Sequence, residues 1–227
     1  MRIFVISLGG SLIIPDKINF AFLNKFKKEV RKNYKKTRFV VVCGGGSVAR
    51  KYISALKMEN KSERDLSNAG IMATRMNAKF LIEFFGKEAN GKLPFDMNEV
   101  ANNLYKNNIV ICGALRYAVN ETSDGTAAKL AHFLSCGFIN MTNVKGLYTS
   151  DPKKNKNARF ISKITWKDFE KMAKKMKFEA GQHFVLDQSA AEIIRKRRIK
   201  TYIINENIVN ITKIVDGNKF IGTTISG

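Results

Sequence analysis

Only two histidines, three cysteines and three prolines occur among the 227 residues, and each scarcity excludes something. Cys43, Cys112 and Cys136 are far apart, flanked by apolar residues and odd in number, which argues against a disulfide framework. With His132 and His183 as the only imidazoles beside them, a structural zinc site has too few suitably spaced ligands. His132 reads as a structural mid-helix residue, and no role is assigned to His183. Few prolines leave room for long uninterrupted elements. No apolar run approaches the ~20 residues of a membrane span. Residues 3–8 are apolar but stop at Gly9-Gly10 without a small-residue cleavage pattern, so they read as a first strand rather than a leader. The cytoplasm is the expected location. Acidic residues are also scarce, at 19 against 40 Lys and Arg, for a formal net charge of +21. Such a surplus invites a nucleic-acid reading. The basic residues of 25–38, 153–177 and 195–200 are interleaved with apolar ones at helical spacing, the pattern of solvated helix faces that also attract anionic nucleotides. No zinc-finger or RNA-recognition signature accompanies them, so nucleic acid is not the expected partner.

What is present is a β-α alternation. The apolar share of 44% and charged share of 26% are globular, and the length suits one large domain over residues 1–227. Residues 2–8 and 39–43 read as buried strands, 109–112 as a short one, 137–142 and 201–205 as two more, and 219–225 as a closing edge strand. Helices are predicted over 18–34, where Phe22, Phe26 and Val30 fall at helical spacing, and from Ser47 onward. Another covers 66–86, with Met72, Met76, Phe80 and Phe84 recurring every four residues and assigned to the core. Residues 123–135, capped by Thr122 or Ser123, and 187–198 complete the set, with Thr165 and Asp168 resembling a capping box before one more helix. Residues 143–159 form a polar stretch. The expected fold is α/β, with a mainly parallel sheet and helices on both faces. In such sheets ligands sit outside the carboxyl ends of the strands. The glycine and polar loops fall at strand ends, so sequence order predicts that they converge.

Four of these loops carry candidate chemistry. Gly9-Gly10-Ser11 after the first strand lets backbone N–H groups approach a phosphate, or is merely a turn. Gly44-Gly45-Gly46 opens into a helix, a backbone anion cradle aimed by the helix dipole. Arg50, one turn on, reads as a bidentate phosphate partner or a surface salt-bridge residue. Neither loop is a Walker A motif. Thr122-Ser123-Asp124 sits at a helix start, where Asp124 either stabilises the helix end or orients cationic groups and Mg²⁺ about a transferring phosphoryl group. The segment from Thr142 through Asn143, Tyr148 and Asp151 to Pro152 reads as a ligand clamp or as a turn ending at Asp-Pro.

Together these segments resemble the amino-acid-kinase family, most of all its archaeal-type uridylate (UMP) kinases. The likeness is carried by SLGGS at 7–11, VVVCGGGSVARKYI at 40–53, GIMATRMNA at 70–78, TSDGTAAKLAHFL at 122–134, TNVKGLYTSDPKK at 142–154, VLDQSAAEII at 185–194 and GTTI at 222–225. The resemblance implies a three-layer α/β/α sandwich, ATP- and Mg²⁺-dependent phosphorylation of UMP to UDP in pyrimidine nucleotide biosynthesis, and a symmetric homo-oligomer, commonly a hexamer. It implies acceptor binding mainly in the N-terminal part and ATP binding mainly in the C-terminal part. Gly9, Gly10, Gly46, Arg50, Thr142, Asn143, Tyr148 and Asp151 are thereby matched to ATP. Gly45, Ser67 and Thr122 are matched to the acceptor, and Asp124 to the catalytic centre; no residue is assigned as a metal ligand. The chain departs from the family at four places. Ser7 stands where many relatives have Lys, and Ser67 where an acceptor-side Asp is usual, with Asp65 nearby as a substitute after a local shift. Lys145 replaces an Asp, and residues 114–121 lack the expected Pro. Those departures leave two alternatives: the same chemistry on another small phosphate or carboxylate acceptor, and a non-catalytic nucleotide- or RNA-binding protein.

Overall fold

The structure, a computed structural model, describes residues 1–117, 122–150, 152, 155–175 and 186–227. In chain order the elements are β1 (Arg2–Leu8), α1 (Gly10–Ile13), α2 (Phe20–Arg31), β2 (Thr37–Cys43), α3 (Gly46–Met58), α4 (Glu63–Phe85), a 3₁₀ turn (Gly86–Glu88), α5 (Met97–Leu104), β3 (Ile109–Cys112), α6 (Ser123–Phe133), β4 (Gly137–Met141), β5 (Leu147–Tyr148), β6 (Phe160–Ile161), β7 (Lys163–Ile164), α7 (Trp166–Lys175), α8 (Gln188–Lys196), β8 (Thr201–Ile204), α9 (Val209–Val215) and β9 (Thr223–Ile225).

Seven strands form one sheet in the order β3-β2-β1-β4-β8-β9-β7. The pairs β3·β2, β2·β1, β1·β4 and β4·β8 are all parallel, whereas β9 runs antiparallel to β8. Five carboxyl ends therefore open on one edge. Side chains alternate between the faces along each strand. Phe4, Ile6 and Leu8 of β1 pack with Phe26, Leu81, Phe85 and Ile211, from α2, α4 and α9. Val5 packs with Val100, Leu130, Phe169 and Ile194, from α5, α6, α7 and α8. Helices thus cover both faces, as the alternation predicts, because continuous apolar strands need burial on each side.

Two expectations need correction. Residues 219–225 do not close the sheet at its edge: β9 lies between β8 and β7, and the two-residue β7 is the outer strand. Met72 and Met76 are not core either; they are 62% and 69% exposed. The buried stripe of α4 is Leu66, Ala73, Thr74, Asn77, Ala78, Leu81, Ile82 and Phe85, one step around the helix from the methionines.

Candidate active site

The site is built from the carboxyl ends of β1, β2, β3 and β4. β1 ends at Leu8; the N–H of Gly9 just beyond it donates to Met141 O at 3.1 Å, while Gly44 N–H donates to Leu8 O at 2.9 Å. These ladder bonds carry the two glycine turns to the same height. A Cβ on Gly10 would lie 2.0 Å from Gly46 N, and one on Gly46 would lie 2.6 Å from Gly10 O. No side chain fits between backbones that close. Gly46 also has φ +64, a left-handed conformation that costs glycine little. The turns therefore form one double cradle of main chain, with α3 starting at its rim. Gly45 faces the groove between α3 and α4, where its Cβ would meet Ala49 and approach Ala73 and Gly70 O.

Beneath the cradle, Ser7 points to the α6 side of β1. Its Oγ donates to Asp124 Oδ1 at 2.6 Å, and Ser7 is 1% exposed. Asp124 lies in the first turn of α6, which Thr122 caps by accepting Gly125 N–H at 3.0 Å. Thr122 Oγ1 also donates to Asp187 Oδ2, and Asp187 caps α8 by accepting Ala190 N–H at 2.8 Å. Burial and the negative charge of Asp187 push the Asp124 carboxyl up to about 7, against the Ser7 hydrogen bond. Two carboxylates from separate helices are thus coupled beside the phosphate cradle. In the sequence Asp187 stands out only as the start of a helix. Its partner is 65 residues away in sequence, so no local signal announces the pairing. At residue 7 the chain sets a neutral hydroxyl against Asp124, and Asp187 is a charged neighbour of that carboxyl.

The remaining candidates fall around this centre. Thr142 follows β4 directly, its N–H donating to Ile204 O at 2.9 Å, and Asn143 beside it is exposed. Tyr148 sits on the short β5–β6 hairpin, edge-on to Phe160 with ring centroids 5.4 Å apart. Arg50 is exposed on α3. Ser67 is half-buried on α4. Asp65 forms a capping box with Ser62 at the start of α4. Those hydrogen bonds hold its carboxyl below the usual range. Asp151 lies outside the described residues. At about 4.8 Å per strand, β3 to β4 spans about 14 Å, and the glycine cradle lies over the two middle strands.

Among the described residues, no cluster of three or more His, Cys, Asp or Glu forms a metal cage. The donor set at the cradle, Asp124 and Asp187 with the hydroxyls of Ser7 and Thr122, is nonetheless all oxygen. That suits Mg²⁺ shared with a polyphosphate, since this ion keeps few protein ligands.

Comparison with known proteins gives a consistent picture. A sequence model of the amino acid kinase family matches residues 2–205. The uridylate kinase of Pyrococcus abyssi is 34% identical over 227 residues, covering 99% of each chain. That of Archaeoglobus fulgidus is 35% identical over 225 residues, covering 98% of this chain and 99% of the relative. The crystal structure of the Archaeoglobus fulgidus uridylate kinase superposes with a TM-score of 0.86 at 33% identity, covering 100% of both chains. The UMP kinase structure from Ureaplasma parvum, at 22% identity and TM-score 0.80 over 100% of this chain and 99% of that one, shares the fold.

Proposed function

This chain belongs to the amino acid kinase family, and we propose that it transfers the γ-phosphoryl group of ATP to the phosphate of UMP, giving UDP and ADP. The observation that carries this reading is the double glycine cradle with Asp124 beneath it, set midway along a row of strand ends. The full-length likeness to archaeal uridylate kinases supports UMP as the acceptor. In this reading ATP lies over β1 and β4, held by Gly9, Gly10, Gly46, Arg50, Thr142, Asn143, Tyr148 and Asp151. UMP lies over β2 and β3 beside Gly45, Ser67 and Thr122.

An oxygen of the UMP phosphate attacks the γ-phosphorus. The bond from that phosphorus to the β-γ bridging oxygen breaks, and ADP leaves. The acceptor phosphate is already an anion, so no strong base is needed and catalysis is positioning plus charge neutralisation. Backbone N–H groups of the cradle and the Arg50 guanidinium supply fixed positive charge. Asp124, oriented by Ser7, with Asp187 linked to Thr122, would hold Mg²⁺ through oxygen. When bound there, the ion would screen the charge that develops between the two nucleotides. The enzyme acts in the cytoplasm, in pyrimidine nucleotide synthesis, as a homo-oligomer; exposed Met72 and Met76 on α4 support burial against a second copy.

A coupled ADP-release assay across UMP, CMP, AMP, GMP and small alkyl phosphates tests the acceptor. UMP is expected to give the highest kcat/KM. Turnover of another acceptor with UMP inert would favour the second reading, the same chemistry on a different phosphate. Ser67 and the departures after β3 motivate that reading.

A further inference from the structure

The strand-end segment after β3 is clasped to α4 by close backbone packing and by side-chain hydrogen bonds from the helix. Gly113 packs so tightly on the helix that a Cβ there would lie 2.7 Å from Arg75 N and 2.8 Å from Thr74 Oγ1. Ala114 N–H donates to Thr74 Oγ1 at 2.9 Å, and that hydroxyl donates onward to Ile71 O at 2.7 Å. Arg75 completes the clasp: Nε donates to Ala114 O at 3.0 Å and Nη2 to Leu115 O at 2.6 Å. Its guanidinium stands 4.8 Å from the centroid of the Phe95 ring, on the loop before α5. Near the start of the same helix, Arg64 stands 5.8 Å from the Tyr117 ring. The contacts of residues 113–117 with α4 thus run through Gly113, Thr74, Arg75 and Arg64.

Arg75 is half-buried and gives two donors to successive backbone carbonyls. Burial lowers its pKa below the ordinary arginine value. A fixed planar fork on two successive carbonyls sets the path of the chain as a lysine point charge does not. The aromatic face behind it fixes the plane of the guanidinium.

We propose that Arg75, backed by Phe95 and Thr74, is a positioning residue that sets the β3-end segment as one wall of the acceptor pocket and thereby determines acceptor affinity and selectivity. The proposal rests on the reading that the acceptor lies over β2 and β3. In this role Arg75 acts through the main chain of Ala114 and Leu115. Ser67 lies two helical turns earlier on α4, so the same helix presents a side chain to the pocket and holds the opposite wall.

The test is steady-state kinetics of Arg75→Met, Arg75→Lys and Phe95→Ala, with UMP and ATP varied separately, alongside UMP binding by calorimetry. Arg75→Met keeps the bulk and removes both donors. It is expected to raise the KM and Kd for UMP about tenfold, the scale of one or two lost charged hydrogen bonds, with the ATP KM within about twofold. Arg75→Lys restores little, because one ammonium does not span both carbonyls. Phe95 is 50% exposed, so its truncation leaves the fold intact; a smaller shift in the same direction is expected. The Arg75→Met, Phe95→Ala double variant is expected to be no worse than Arg75→Met alone. Equal shifts in both KM values, or a fall in thermal stability with UMP affinity unchanged, would overturn the proposal. If wild-type protein turns over UMP while Arg75→Met binds it normally, the clasp fails and the kinase reading stands. If wild-type protein ignores UMP, the acceptor reading fails first.

Discussion

At the scale of the residue, Asp124 is the position where chemistry and stability oppose each other. The folded chain binds its proton more tightly than the unfolded chain, with a carboxyl pushed from 3.8 to about 7. Folding stability from this group is therefore greatest at low pH and declines as pH rises through the window from about 4 to about 7. Asp124→Asn removes that decline: the ligand-free variant is expected to melt higher than wild type at pH 8 and to lose the difference near pH 4, read by thermal denaturation across pH. Activity moves the other way. Because kcat/KM reports the free enzyme, the wild-type profile in ATP is expected to fall about tenfold per pH unit below about 7. The variant is expected to lose about 100-fold or more in kcat. Gly10 is a second such position. Its Cβ would collide with backbone at Gly46, which cannot swing aside as a side chain does, so Gly10→Ala is expected to cost about 3 kcal/mol in urea denaturation.

At the scale of the element, the start of α6 joins two helices through one hydroxyl. Thr122 caps α6 and binds the carboxylate that caps α8. Thr122→Ala is expected to cost about 1 kcal/mol in stability and Thr122→Ser to restore most of it, by chemical denaturation. The same scale shows what the chain's order discloses and what it hides. β1, β2, β3, β4 and β8 were legible because each is an apolar run buried on both faces. The glycine turns were legible because strand ends in a parallel sheet share an edge. β5, β6 and β7 are two residues each, too short for any period. α5 and α9 went unread, although Asp96 and Glu99 mark the start of α5, where Asp96 accepts the Glu99 N–H. On α4 the four-residue recurrence of methionine and phenylalanine coexists with a second, smaller-residue stripe through Ala73 and Ala78. Spacing alone does not choose between them. The Asp187–Thr122 and Arg75–Ala114 contacts join residues 65 and 39 positions apart, which only the tertiary fold brings together.

At the scale of the whole molecule, one edge of one sheet gathers the glycine turns of β1 and β2, the clasped segment of β3 and the polar segment after β4. The surplus of positive charge, +21 over the chain, favours approach of anionic nucleotides to that edge. The exposed methionines of α4 predict association: Met72→Lys with Met76→Lys is expected to shift the protein to a smaller species in light scattering while leaving it folded. The account as a whole is tested most directly by phosphorus NMR of the protein with ATP, Mg²⁺ and UMP. It predicts that the γ signal of ATP declines as the β signal of UDP grows in equal amount, and that Asp124→Asn shows neither. Loss of the γ signal into inorganic phosphate alone, or an unchanged spectrum with wild-type protein, would contradict it.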